Sequence, residues 1–262
     1  MAHLNGLQLY TMDSFADLFN NGFFNSQHLF LFILFSLATY GPLLAAFIVT
    51  WAENGKDGLK TLFASMTNWK VNRKWYLLIL LIPVSINLVA VTVGYLSAGM
   101  KGPWMSPVYP IFTIIPFFIY QVFTSGLEEP GWRGFLLPKI LKTKNPGKAS
   151  WAVGLMWAIW HFPIVIPLYW SWGIAVLIPT LAGFTMAIIG QAFIFTWLYK
   201  NTKSTFMAII FHAILNTASI YMIGVTENPA VATLPALLTW LAVFIIMKKS
   251  DKQTFLLKNI TN

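Results

Sequence analysis

The chain of 262 residues carries a formal net charge of +9, yet only 10% of its residues are charged and 57% are hydrophobic. Soluble domains contain roughly 25% charged residues, and a soluble fold has no interior large enough to bury this much apolar surface. The composition therefore excludes a soluble protein and predicts an integral membrane protein, while the absence of cysteine excludes disulfides, iron–sulfur clusters and thiol nucleophiles.

The N-terminal segment precedes the first apolar run, which begins near His28. It has neither a basic stretch nor a small-residue cleavage site, so we expect no signal peptide and expect this run to remain as the first span. Residues 7–24 are too polar to cross a bilayer, and two interpretations stay open for them, an interfacial helix or a polar tail. We therefore predict a tail or interfacial helix at 1–27, a membrane-embedded domain at 28–247 and a cytoplasmic tail at 248–262.

Seven apolar runs are each long enough to cross a bilayer as a helix, which takes about 20 residues. A shorter apolar stretch, 128–142, follows Gly126, which interrupts the third run, and contains Pro130, which suits the first turn of a new helix. We interpret this stretch as a half-helix that starts inside the membrane and runs to the cytoplasmic surface, which makes about eight helices in an all-α fold. The seven runs are 28–51, 76–98, 107–125, 150–169, 173–199, 205–224 and 229–247.

The basic residues predict the orientation of the protein. All of them except Lys101 fall in or beside alternate connections, and the N-terminal segment has none. Because lysine and arginine concentrate on the cytoplasmic side, we expect a multi-pass protein of the cell membrane with its N-terminus outside and its C-terminus inside. The basic residues lie in short connections and form no phosphate-binding face, so we predict no nucleic-acid partner.

Charged residues at membrane depth are expensive to keep, and the stretch GLEEPGWRGF at 126–135 contains three of them. Glu129 and Arg133 are four residues apart on one helix, so they share a face and are expected to form an ion pair. Glu128 then points about 100° away from that face, at the start of a helix whose dipole favours negative charge. This division leaves Glu128 available as a base.

Two other spans each carry a pair of polar or aromatic side chains one helical turn apart. Trp157 and His161 share a face of the fourth span, and His212 and Asn216 share a face of the sixth. At 1.5 Å per residue, the two histidines reach about the depth of Glu128, roughly 14 to 20 Å below the nearest flanking lysines. An imidazole and a carboxamide can donate hydrogen bonds to a developing oxyanion, and a carboxylate with a second imidazole can activate water. Together these groups suit peptide hydrolysis.

Each pair also has a purely structural interpretation when it is taken alone. Glu129 and Arg133 can be a structural ion pair, and a histidine or asparagine in a span can serve only to hydrogen-bond neighbouring helices. The tryptophan and phenylalanine stripes are typical of packing. The occurrence of all three pairs at matched depth favours a catalytic site.

The three pairs resemble the motifs of a known family. Glu128-Glu129-x-x-x-Arg133, Trp157-x-x-x-His161 and His212-x-x-x-Asn216 are similar to the EExxxR, FxxxH and HxxxN/D motifs of the CAAX protease and bacteriocin-processing family (CPBP, or Abi) of intramembrane proteases, and within it to proteins like CAAX prenyl protease 2. The resemblance covers about residues 107–224, with order and spacing intact. It departs from the family pattern in the tryptophan at 157, where phenylalanine is usual.

The resemblance implies an eight-helix membrane protease whose active site lies below the cytoplasmic surface and whose partners are a peptide or lipidated-protein substrate and membrane lipid. It implies that Glu128 activates the hydrolytic water with help from His161, and that His212 and Asn216 line the oxyanion hole. Glu129 would be fixed by Arg133, and Trp157 would support the site.

Metal dependence is the open point of this mechanism. We expect no cofactor, because no HExxH motif is present and because the amide of Asn216 beside His212 serves an oxyanion better than a cation. The alternative is a zinc-dependent protease in which Glu128, His161 and His212 are the ligands, since two histidines and a glutamate are legitimate zinc ligands.

Two functions from other classes also remain. Buried glutamate, arginine and histidine build proton relays in transporters, although the two-half repeat common in transporters is absent here. A non-catalytic bacteriocin-immunity factor that acts by binding would need no chemistry at these positions.

Overall fold

The computed structural model describes residue 22 and residues 25–99, 110–223 and 229–249. Within these ranges all regular secondary structure is helical, which confirms the all-α prediction. The predicted tail or interfacial helix at 1–27 and the predicted tail at 248–262 lie almost entirely outside the described residues.

The helices follow one another with short connections. Two 3₁₀ segments, Ile111–Thr113 and Ser125–Glu128, flank the α-helix Ile114–Phe123. A π-helical segment, Pro130–Leu136, leads into the short α-helix Leu137–Leu141. In chain order the α-helices are α1 (Ser26–Ala38), α2 (Gly41–Met66), α3 (Arg73–Ser97), α4 (Ile114–Phe123), α5 (Leu137–Leu141), α6 (Pro146–Trp170), α7 (Ile174–Thr202), α8 (Thr205–Met222) and α9 (Pro229–Lys249).

Several helices are long and apolar enough to cross a membrane. In the described part of the chain there are five such stretches, or six if the bent pair Phe32–Ala38 and Gly41–Met66 counts as one span. The protein is therefore a multi-pass helical membrane protein, whereas the predicted total of eight helices stays a prediction. The five stretches are Arg73–Ser97, Ile111–Leu141, Pro146–Trp170, Ile174–Thr202 and Thr205–Met222.

The outer surface of the bundle is apolar, as lipid requires. Large hydrophobic side chains are exposed along several helices, among them Ile48 on α2, Ile115 on α4, Leu155 on α6 and Ile178 on α7. A soluble protein rarely exposes apolar surface over so many elements. The core is a cluster of buried hydrophobic side chains from α3, α6, α7, α8 and α9, which includes Trp157 and Phe195.

The first predicted span, 28–51, is not one continuous helix. The chain turns after Ala38, and the two helices on either side are bent by 43°. Pro42 lies in the first turn of α2, where it has no backbone N–H to continue the ladder of hydrogen bonds from α1. Beyond residue 51, α2 continues to Met66, with an internal kink at Gly55, whose φ is 57°.

Helical structure is present where the half-helix 128–142 was predicted, but it starts earlier and is not a regular α-helix; its start inside the membrane stays a prediction. The third span breaks at Thr124, with φ −112° and ψ −95°, and the chain resumes as the 3₁₀ segment from Ser125. Gly126 allows this turn to lie directly against α8, because a Cβ there would be 3.0 Å from Cγ2 of Ile209 and 3.2 Å from its carbonyl oxygen. The two glutamates are thereby brought beside α8.

Candidate active site

Glu129 and Arg133 form the predicted ion pair. Both side chains are fully buried, and Nη1 of Arg133 donates to Oε1 of Glu129 over 2.9 Å. The guanidinium also lies 4.3 Å from the ring centroid of Trp157 and 4.0 Å from that of Phe195. A weakly hydrated guanidinium suits such stacking on aromatic rings, so the arginine is held by charge on one side and by aromatic faces on the others.

His212 has a partner that the sequence did not indicate. Its Nδ1 lies 2.9 Å from Oε1 of Glu129, the same oxygen that Arg133 binds. A carboxylate beside an arginine only accepts hydrogen bonds, so Nδ1 of His212 is the donor. The other ring nitrogen, Nε2, therefore carries a proton only when the imidazole is positively charged.

Glu128 is bound by two tryptophans rather than by Arg133. Its side chain is 4% exposed, and its Oε2 accepts from the indole N–H of Trp157 over 3.0 Å and from that of Trp132 over 3.3 Å. The predicted division of the two glutamates is therefore observed. Trp132 was missed because we interpreted the tryptophans as packing residues, although it stands one helical turn after Glu128 and therefore on the same face.

His161 lies on α6, one helical turn after Trp157. Its Nδ1 is 2.7 Å from the carbonyl oxygen of Trp157, and since a carbonyl oxygen only accepts, Nδ1 donates. In the neutral imidazole this leaves Nε2 as a hydrogen-bond acceptor. His161 is partly exposed, in contrast to the buried His212.

Trp157 is the side chain that connects the motifs. Its indole N–H binds Glu128, and its ring centroid lies 5.8 Å from that of His161 and 5.3 Å from that of His212. The structure thus brings Glu128 and both histidines around one indole. That they line a single cavity open to the cytoplasmic side stays a prediction.

Asn216 is held by a residue that we did not predict. Its Nδ2 donates to Oε1 of Gln121 over 2.9 Å, and the Oγ of Ser125 donates to the same oxygen over 2.8 Å. Gln121 is a buried polar side chain in the otherwise apolar helix α4. Its polarity within a predicted span was the available signal, because polar groups in a membrane helix commonly bond to a neighbouring helix.

The alternative zinc site can be tested against the positions of its donors. Within residues 25–99, 110–223 and 229–249, no three histidine, aspartate or glutamate side chains are grouped so that they could hold a metal ion. Nδ1 of each histidine is engaged, by the Trp157 carbonyl oxygen for His161 and by Glu129 for His212, so a metal ion would have to bind Nε2, as is common at metal sites. In this arrangement, however, Glu128, His161 and His212 are not grouped as a three-ligand zinc site.

Comparison with known proteins agrees with the resemblance drawn from the motifs. Residues 110–218 match a family model described as "Rce1-like: Type II CAAX prenyl endopeptidase Rce1-like". Over 139 residues the chain is 27% identical to "CAAX prenyl protease 2" of Methanococcus maripaludis, a match that covers 52% of this chain and 51% of the relative. This match spans about half the length of the relative, and the residues matched by the family model, 110–218, contain all three motifs.

Proposed function

We propose that this chain, which is related through residues 110–218 to the Rce1-like type II CAAX prenyl endopeptidases, is an intramembrane endopeptidase. The observation that carries the proposal is the grouping around Trp157. A nearly buried carboxylate, Glu128, accepts two indole N–H bonds, and two imidazoles contact the same indole ring. An isolated structural ion pair would need only Glu129 and Arg133.

Glu128 is the proposed general base. Both indoles bind its Oε2, and among the described residues no donor binds its Oε1, so Oε1 is the oxygen that accepts a proton from water. Nε2 of His161 is the second acceptor that orients this water, because its Nδ1 is engaged by the Trp157 carbonyl. A positioned carboxylate of this kind typically contributes about 10²–10⁴-fold to the rate.

The reaction then needs a stabilised oxyanion and one proton transfer. As the water oxygen bonds to the carbonyl carbon, Glu128 takes one water proton and negative charge develops on the former carbonyl oxygen. We assign Asn216 and the protonated form of His212 as donors to that oxygen, with Glu129 stabilising the imidazolium through Nδ1. When the C–N bond breaks, Glu128 returns its proton to the leaving amine, so protons and charges balance.

The proposed substrate is a lipidated peptide or protein that reaches the site from the membrane. The printed names of the family model and of the relative, CAAX prenyl endopeptidase and CAAX prenyl protease 2, support a prenylated substrate. The alternation of lysine-rich connections supports a site below the cytoplasmic face, with the N-terminus outside and the C-terminus inside.

A metal-free mechanism is part of the proposal and has its own test. The poor fit of Glu128, His161 and His212 to a three-ligand site supports it. Chelators should leave cleavage unchanged, and elemental analysis of the purified protein should find no stoichiometric metal. Activity that is lost on removal of zinc and restored on its return would contradict this part of the proposal.

Cleavage by purified protein tests the function itself. Reconstituted protein is expected to cleave a fluorogenic prenylated peptide, and Glu128→Gln is expected to fold normally and to lose about 10²–10⁴-fold in kcat. Glu53→Gln is the matched control, because Glu53 pairs with Lys139 at the surface of the bundle, outside the site. A proton-coupled transporter or an immunity factor would show no cleavage, and equal activity of Glu128→Gln and wild type would refute the base assignment.

A further inference from the structure

The carboxamide of Asn216 has two ends of opposite polarity, the N–H₂ group and the carbonyl oxygen. A half-turn about the last side-chain bond exchanges the donors of one end for the acceptor of the other at nearly the same positions. The interaction with a developing oxyanion is attractive when the N–H₂ group faces it and repulsive when the carbonyl oxygen faces it. A residue that selects one orientation therefore controls whether Asn216 helps or hinders the reaction.

Gln121 is in contact with this amide and accepts from it. Its Oε1 lies 2.9 Å from Nδ2 of Asn216 and 2.8 Å from Oγ of Ser125. A carboxamide oxygen has two lone pairs, and both are used by these two donors. If the Gln121 amide turned over, its own N–H₂ group would face the N–H₂ group of Asn216, an arrangement with no acceptor.

The contact joins three elements that carry different parts of the site. Gln121 is on α4, Asn216 is on α8 one turn after His212, and Ser125 begins the 3₁₀ segment that ends at Glu128. Gln121 is 5% exposed, so water competes little for its oxygen. The close approach of α8 to the turn at Gly126 keeps these three elements together.

We propose that Gln121 is a positioning residue, which holds Asn216 so that one N–H of its Nδ2 binds Gln121 and the other is directed at the oxyanion. Ser125 acts with it by occupying the second lone pair of the Gln121 oxygen. The inference rests on the proposed function, because it concerns the oxyanion of that same hydrolysis. It adds a residue that lies outside all three sequence motifs.

A double-mutant cycle on reconstituted protein tests the inference. Asn216→Ala is expected to lose about 10²–10³-fold in kcat, as for loss of an oxyanion donor, and Gln121→Met, of similar length but without an acceptor, about tenfold at nearly unchanged KM. In the Asn216→Ala background, Gln121→Met should have no further effect, since the amide that it positions is gone. If Gln121→Met does not accumulate in the membrane, Gln121→Asn, with the same amide one methylene shorter, replaces it.

The matched control is another buried amide. Asn87→Leu removes a side chain of α3 whose N–H₂ group binds only its own helix, at the carbonyl oxygen of Pro83, and kcat should not change. Equal fold losses from Gln121→Met in both backgrounds, no loss in either, or the same loss from Asn87→Leu would overturn the positioning role. Failure of the wild type to cleave the peptide would overturn the proposed function and this inference together, whereas cleavage with independent losses would overturn the inference alone.

Discussion

Glu129 neutralises the buried Arg133 and also determines which ring nitrogen of His212 carries the proton in the neutral imidazole. One of its oxygens accepts from both Arg133 and His212, and neither Glu129 nor Arg133 is exposed. Its own Oε2 and two of the guanidinium nitrogens have no partner in the described part of the chain. Burial of this pair is therefore costly, and we expect its loss to impair folding as well as catalysis.

Glu129→Gln is predicted to reduce folding rather than only activity. The substitution removes the negative charge that is hydrogen-bonded to Arg133, and a buried charge left without its partner costs about 3–5 kcal/mol. We expect a lower thermal midpoint in detergent and a smaller monodisperse fraction than for Glu128→Gln, which leaves the ion pair intact. A normal thermal midpoint combined with lost cleavage would contradict the folding role and would mean that Glu129 acts mainly through its hydrogen bond to His212.

Trp157 makes a hydrogen bond to Glu128 that the second motif does not predict. The family pattern usually has phenylalanine there, and phenylalanine keeps the ring but lacks the N–H that binds Glu128. A hydrogen bond to a charged group contributes about 1.5–3 kcal/mol, and Trp132 still binds the same oxygen. In this chain, therefore, the indole of Trp157 binds the carboxylate that we propose as the base.

Trp157→Phe is predicted to fold normally and to lose about tenfold in kcat, which corresponds to about 1.5 kcal/mol, the lower end for loss of one charged hydrogen bond. Trp151→Phe is the control on the same helix, because Trp151 packs against Phe193 and Trp240 away from the carboxylates. Steady-state cleavage by both variants gives the comparison. Full activity of Trp157→Phe would mean that the Trp132 indole alone is sufficient.

At the scale of elements, the site depends on how closely the π-helical segment approaches α2. Gly131 lies against Pro42, and a Cβ on it would be only 2.5 Å from the carbonyl oxygen of Pro42. Backbone atoms cannot move aside as the end of a flexible side chain can. The approach fixes the segment that carries Arg133 between α2 and the rest of the bundle.

Gly131→Ala is predicted to destabilise the protein by about 1–3 kcal/mol, the usual cost of overpacking. Gly183→Ala is the matched control within α7, where a Cβ meets no atom within 4 Å and alanine is the better helix former. Thermal unfolding in detergent should show a lower midpoint for Gly131→Ala and an unchanged or higher one for Gly183→Ala. Equal thermal midpoints for the two variants would show that α2 can move away from the π-helical segment without loss of stability.

For the whole molecule, the distribution of lysine and arginine predicts one orientation in the membrane. The absence of cysteine makes the topology directly measurable with single introduced cysteines. Lys144 lies in the exposed connection between α5 and α6, and Trp172, 70% exposed, lies in the turn between α6 and α7. The two connections are at opposite ends of α6.

Trp172→Cys is predicted to react with a membrane-impermeant maleimide in intact cells, and Lys144→Cys only after permeabilisation. The reason is that lysine-rich connections stay on the cytoplasmic side. The cysteine-free parent protein gives the background labelling. If only Lys144→Cys is labelled in intact cells, the protein has the opposite orientation. The substrate would then reach the site from the other side of the membrane.

The sequence by itself determined the features that depend on local composition and short spacing. Apolar runs indicated a helical membrane protein, the spacing of Glu129 and Arg133 indicated their ion pair, and Gly126 with Pro130 indicated a break after the third run and a new helix beyond it. Each of these follows from interactions within about one helical turn, or from the length of an apolar run.

Which distant groups bind one another could be seen only in the tertiary structure. The bonds of His212 to Glu129, of Trp157 to Glu128 and of Asn216 to Gln121 join residues 83, 29 and 95 positions apart. Helices in a bilayer associate through close approach at small residues and through polar bonds between helices, since lipid is as apolar as their side chains. Periodicity shows the faces of such helices but not which faces meet, because that choice is made by packing at contacts such as Gly126 against Ile209.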